Sequence, residues 1–241
     1  MDRTTDRDSP WLAGIRSRKH LALLIAIIVL QTIHPLFVHI GVHTRILADI
    51  AFIALCISVF LVVFERPWER WLALVFAIPG LVGNVVIYFL PERMQTIAEA
   101  FYHGSVLVFL GFAVVVILRD VFGRRIVRVD GFVGSACGYL LAAIAWGSVY
   151  VLMNMLMPES FRVAPEISWQ LDDWHTRNAL FNYFSIVSLT GLGYGDITPI
   201  NPLLYALVSL EAVFGLFYLA VVVSQLVGLW LISRGVEGQF P

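Results

Sequence analysis

The sequence predicts an all-α membrane protein with six transmembrane helices and one further short helix, and three observations predict it. Of 241 residues, 59% are hydrophobic and only 14% charged, and mean hydropathy is +0.84, far above a soluble domain. Six apolar runs approach or exceed the length that crosses a bilayer. The basic residues divide by side: with both ends in the cytoplasm, twelve of the 16 lysines and arginines lie inside, leaving Arg45, Arg93, Arg162 and Arg177 outside. A net charge of -1 argues against a nucleic-acid partner.

Residues 1–19 are charged and expected in the cytoplasm, with Trp11, Leu12 and Ile15 able to rest on the membrane surface. Residues 20–118 read as a four-helix peripheral domain. Its first span, 21–40, is followed by no small-residue cleavage site and reads as a retained anchor, kinked or ended early by Pro35. His34 within it reads as a hydrogen-bonded interior histidine before a ligand. The second span, 46–64, is closed by an interfacial loop at 65–70. The third, 71–90, carries Pro79-Gly80 and Gly83-Asn84, where a break or a close helix contact is expected. In the fourth, 96–118, Glu99 and His103 lie one turn apart, close enough to pair. No arginine falls between 97 and 118, so this helix cannot drive steep voltage gating.

Residues 119–130 form a basic cytoplasmic linker with Arg119, Arg124, Arg125 and Arg128. The fifth span, 131–157, holds Gly134 and Gly138 at the spacing that lets helices approach closely; dimerisation is the other use of that spacing. A polar, acidic stretch at 158–176 suits an extracellular turret, and 177–189 is an apolar helix too short to cross. Asn201-Pro202, a cap followed by proline at the first helical position, opens the last span, which runs to about 232. Residues 131–233 are thus one domain, and 234–241 a short cytoplasmic tail. Cys56 and Cys137 sit in apolar runs and read as buried hydrophobes.

Between the short helix and the last span stands Thr190-Gly191-Leu192-Gly193-Tyr194-Gly195-Asp196. Glycine at alternate positions removes the Cβ penalty there, so successive carbonyls can swing to one side instead of alternating as in a strand. Four such columns around one axis replace the hydration shell of a monovalent cation, the arrangement known in potassium filters. One chain holds one column, so four copies are required.

This run, followed by Ile197-Thr198-Pro199, resembles the signature of the potassium channel superfamily, and the plan is similar to a prokaryotic six-transmembrane channel with one pore loop. The resemblance covers about residues 131–233, a pore region similar to the two-transmembrane potassium channel module; residues 1–130 carry no family signature. It implies a potassium-selective channel, a homotetramer in the plasma or inner membrane of a cell, passive, not an enzyme, with K+ as permeant ion and no cofactor. By this resemblance the carbonyls of Gly191, Leu192, Gly193 and Tyr194 bind K+. Thr190 and Gly195 flank them, and Asp196 sits above the filter on the external side. Tyr194 is expected to turn towards Tyr183 and Phe184 of the pore helix as an aromatic cuff, or else to serve as an interfacial anchor. The C-terminus of the pore helix directs its negative end at the pore.

The sequence departs from the family pattern twice. Gly191 stands where most members carry a second threonine whose hydroxyl completes the innermost ion site, and Val187 stands where many carry a glutamate that bonds the aspartate. Asp196 must therefore find another partner. Gly215 matches the family's hinge glycine in spacing and is equally readable as a packing glycine. Glu211, one turn earlier at membrane depth, is expected to bond the back of the pore helix near Ser188, or else to face the cavity. Three other functions stay open: a less selective monovalent cation channel, a potassium transporter subunit, and a non-conducting membrane protein with a pore fold.

Overall fold

A computed structural model describes residues 19–40, 42–123, 129–171 and 173–237. The N-terminal segment, the arginines at 124, 125 and 128 and the last four residues lie outside them, as does the side chain of His34. Among the described residues there are seven α-helices: α1 Lys19–Ile40, α2 Val42–Val63, α3 Pro67–Val86, α4 Glu92–Gly123, α5 Val129–Leu156, α6 Trp174–Leu189 and α7 Pro202–Glu237. Among the described residues, four segments are long and apolar enough to cross a membrane: Pro67–Phe89, Met94–Val121, Gly131–Leu156 and Pro202–Val222. Helices α1 and α2 contribute shorter apolar stretches, His20–Thr32 and Asp49–Val63.

Helix α4 is the central member of the peripheral group, packed on α3 and, most extensively, on α5. Helix α1 packs on α2 and α5. The shared core is built on apolar residues, with Leu23, Ile27, Leu55, Val59, Phe64, Phe109 and Leu110 buried in one cluster with Leu141. Phe64 stacks on Phe112 with ring centres 5.2 Å apart. In lipid, where burying leucine against leucine gains little, close backbone approach decides which helices pair. Gly80 supplies it on α3: a Cβ there would lie 3.1 Å from Cβ of Ser105 on α4. Helix α3 accordingly runs through Pro79 unbroken, and the small residues serve contact.

Gly138 plays the same part on α5. A Cβ at that position would meet the Tyr218 hydroxyl of α7 at 2.5 Å, and Tyr218 donates to the Ser135 carbonyl at 2.7 Å. The glycine pair of the fifth helix therefore packs within the chain. At one end of the bundle, Arg119 of α4 meets Glu69 of α3 at 2.6 Å, with Glu69 1% exposed. Arg119 is itself 44% exposed, so only its removal strands a buried charge, the Glu69 carboxylate, which is left with the more distant Arg66 at 3.8 Å.

A short antiparallel ladder is the one strand pairing among the described residues. Strand β1, Phe161–Val163, pairs with β2, Ile197–Pro199, in the register Phe161 with Pro199, Arg162 with Thr198 and Val163 with Ile197. Two flanking bonds extend it: the Ala164 amide donates to the Asp196 carbonyl at 2.8 Å, and the Ile200 amide to the Ser160 carbonyl at 2.9 Å. Runs of three residues lie below what alternation detects, so the sequence reads this stretch as irregular.

Candidate functional site: a glycine loop at the end of a half-length helix

Helix α6 begins at Trp174, three residues earlier than its apolar pattern suggests, because Asp173 caps it: the carboxylate accepts from the Thr176 amide at 3.3 Å. Residues 190–196 then leave the helix without a break in hydrogen bonding. The Thr190 amide bonds the Ile186 carbonyl (3.0 Å), Gly191 bonds Ser188 (3.1 Å) and Leu192 bonds Val187 (3.0 Å). The carbonyls that a helix end leaves orphaned are thus taken up by the loop that follows. Thr190 adds its hydroxyl to the Ile186 carbonyl at 2.7 Å.

Gly191, Gly193 and Gly195 have φ of 75°, 58° and 81°, whereas Leu192 and Tyr194 between them stay at negative φ. The backbone therefore alternates in hand residue by residue, which only glycine at every second position permits cheaply. Leu192 is 60% exposed and Tyr194 67%, and a Cβ at any of the three glycines would meet nothing within 4 Å. The loop stands free of its own chain.

Its support lies behind it. Glu211 of α7 is 0% exposed and joins two other helices: Tyr150 of α5 donates to one carboxylate oxygen at 2.5 Å, and the other lies 2.5 Å from the hydroxyl of Ser185 on α6. The hydroxyl engaged is that of Ser185, one turn before Ser188, and Glu211 faces α5 and α6. Ser185 also lies 2.7 Å from the Ala143 carbonyl of α5. Phe184, next to it, is buried against Tyr150 and Phe161, with ring centres 5.0 and 5.7 Å away.

Asp196 takes its partner from the same helix. Tyr183 donates to its carboxylate at 2.7 Å, and the other carboxylate oxygen accepts from the Ile197 amide at 3.0 Å. Tyr194 forms no ring pair with Tyr183 or Phe184 among the described residues, so the structure brings together Tyr183 with Asp196 and leaves Tyr194 outward. Gly215 abuts the last turn of the pore helix: a Cβ there would lie 2.1 Å from the Leu189 carbonyl oxygen, which accepts from Tyr139 of α5 at 3.0 Å. The packing reading of Gly215 thus has a direct steric basis.

Sequence reasoning missed Tyr139, Tyr150 and Ser185. Each is an ordinary residue in an apolar run, and only the crossing of three helices gives it a partner. It also paired Glu99 with His103. Glu99 instead meets Arg177 of α6, and neither ring nitrogen of His103 has a partner, although the residue is fully buried.

A half-length helix that caps into a glycine loop of alternating hand, between two helices long enough to span, defines a pore-loop module. Residues 138–230 match the family model described as "Ion channel", which supports a member of the potassium channel superfamily. It is a multi-pass membrane protein with an ion channel domain. No curated protein and no solved structure matches the chain.

Proposed function

We propose that the protein is a potassium-selective channel that conducts K+ passively through a filter of Thr190 to Gly195 contributed by each of four identical chains. The observation that carries this is the alternating hand of Gly191, Gly193 and Gly195, which turns successive carbonyls to one side of a loop that its own chain leaves uncovered. K+ would be held by the carbonyls of Gly191, Leu192, Gly193 and Tyr194.

The homotetramer has support from α7. Leu204, Glu211, Gly215, Tyr218 and Val222 form one narrow buried stripe along it, while Leu210, Val213, Leu216 and Phe217 stay exposed in the single chain. A helix buried on one stripe, beside a loop that faces no part of its chain, is suited to packing around an axis with copies of itself. Exposed apolar side chains elsewhere meet lipid. Placement in a cell membrane with both termini in the cytoplasm follows the distribution of basic residues and puts Asp196 on the outer side.

A less selective monovalent cation channel is favoured by one observation, Gly191, which offers a carbonyl but no hydroxyl at the innermost site. The test of both is the reversal potential of the purified protein in a planar bilayer with potassium on one side and sodium on the other. A value near the potassium equilibrium potential is expected. A value near zero with current flowing would establish the unselective channel, and absence of current under all conditions would favour the transporter-subunit or non-conducting readings.

A further inference from the structure

The pore helix is gripped at both ends, by different parts of the chain. Its C-terminal end is held by Tyr139, Glu211 and Gly215 of the pore domain, as described. Its N-terminal turn is held by the peripheral helices, which carry no recognisable function. Arg177 forms an ion pair with Glu99 of α4, the two side chains 17% and 7% exposed. Trp174 packs edge-on against Tyr102, also of α4, with ring centres 5.8 Å apart. His175, 2% exposed, lies 3.0 Å from the Tyr88 hydroxyl and 3.8 Å from Asp49 of α2, and Tyr88 donates to Asp49.

We infer that Glu99, acting through Arg177, is a positioning residue for the selectivity filter, and that the first four helices act on ion selection through this contact at the pore-helix N-terminus. The inference rests on the channel reading above. A cation in the first turn of a helix opposes the helix dipole, so Arg177 is poorly placed for the helix alone. Burial makes it worse unless an anion is near, and the anion comes from another domain. A rigid helix of 16 residues carries any tilt at Arg177 to Thr190, where the filter amides bond its last carbonyls. The filter is thereby coupled to α4 through one charged contact and one ring contact.

The decisive variant removes the link without stranding a charge: Glu99→Met together with Arg177→Met, since replacing both members of a buried pair by apolar residues is close to neutral for folding. The tetramer is checked by size, and the K+ to Na+ permeability ratio is read from the reversal potential. A change of at least about threefold is expected, the size of effect carried by residues acting through a packed network. The charge-swapped pair, Glu99→Arg with Arg177→Glu, should return the ratio towards that of the unaltered channel. Hydrogen exchange at the amides of 186–195 is a second readout, independent of conduction, and should quicken in the methionine pair. An assembled methionine pair with an unaltered ratio and unaltered exchange would overturn the inference. An unaltered protein that is itself unselective would overturn the potassium-selective reading instead, and the exchange readout would still decide the link.

Discussion

The α-carbon of Gly215 approaches the carbonyl of Leu189 so closely that a single methyl group there would stand 2.1 Å from the oxygen. The last helix and the end of the pore helix therefore touch backbone to backbone, and the contact is exclusive to glycine.

Gly215→Ala should accordingly push α7 away from the end of α6. Overpacking of a tight contact costs about 1–3 kcal/mol. The expected result is a lower melting temperature of the assembled protein, with conduction reduced in what remains assembled. Thermal melting followed by size-exclusion chromatography checks it, and a variant as stable as the parent would refute the packing role.

Ser185 has one hydroxyl proton and two close acceptors, the Ala143 carbonyl and Glu211, at 2.7 and 2.5 Å. A neutral amide in place of the carboxyl can donate to Ser185 and accept from Tyr150, so Glu211→Gln should assemble and conduct. Glu211→Ala leaves the Tyr150 hydroxyl buried without its partner while Ser185 keeps the Ala143 carbonyl, and Tyr150→Phe leaves one carboxylate oxygen without its donor. The latter should lose about 1–3 kcal/mol. Denaturant titration of the folded protein distinguishes the three, and equal losses for Gln and Ala would contradict the arrangement.

The bond from Tyr183 to Asp196 is exposed, so its loss is a matter of local order more than of folding. Tyr183→Phe removes the hydroxyl alone and should cost about 0.5–1.5 kcal/mol at most. The expected phenotype is an altered time course of current at constant voltage with unchanged assembly. Recordings from parent and variant in the same bilayer settle this, and identical time courses would show that Asp196 is held by other means.

Conductance should rise only gently with voltage. Helix α4 has no arginine from 97 to 118, and Arg119 is pinned by Glu69 at the end of the bundle. A charge that crosses the field supplies about 2.3 kcal/mol per 100 mV, and the one carboxylate of this helix between 97 and 118, Glu99, is held by Arg177. A steady-state conductance curve that changed steeply, by tenfold within about 20 mV, would require gating charge from elsewhere in the chain.

Much of this architecture was legible in the sequence because membrane helices announce themselves by length and composition. The glycine loop was legible because backbone conformation at positive φ leaves a mark in residue type, visible at Gly191, Gly193 and Gly195. The start of α6 was misjudged by three residues, since Asp173 caps the helix from within a polar stretch and the apolar pattern begins only later. Glu211 was singled out as a buried carboxyl, but its partners were not: Tyr150 and Ser185 are near it only because three helices cross. The pairing of Glu99 went astray for a related reason. A neighbour one turn along the same helix is always nearby, yet Arg177, 78 positions away in the chain, offered the charge that a buried carboxylate needs.

The ladder between Val163 and Ile197 closes the pore helix and its glycine loop at their base, as a stem closes a hairpin. Loop closure and the ordering of the intervening backbone are thus met inside one chain, before any other copy arrives. If four copies assemble as proposed, each brings its quarter prefabricated, so the rate of assembly should follow the encounter of folded chains in the bilayer and not the folding of the glycine loop.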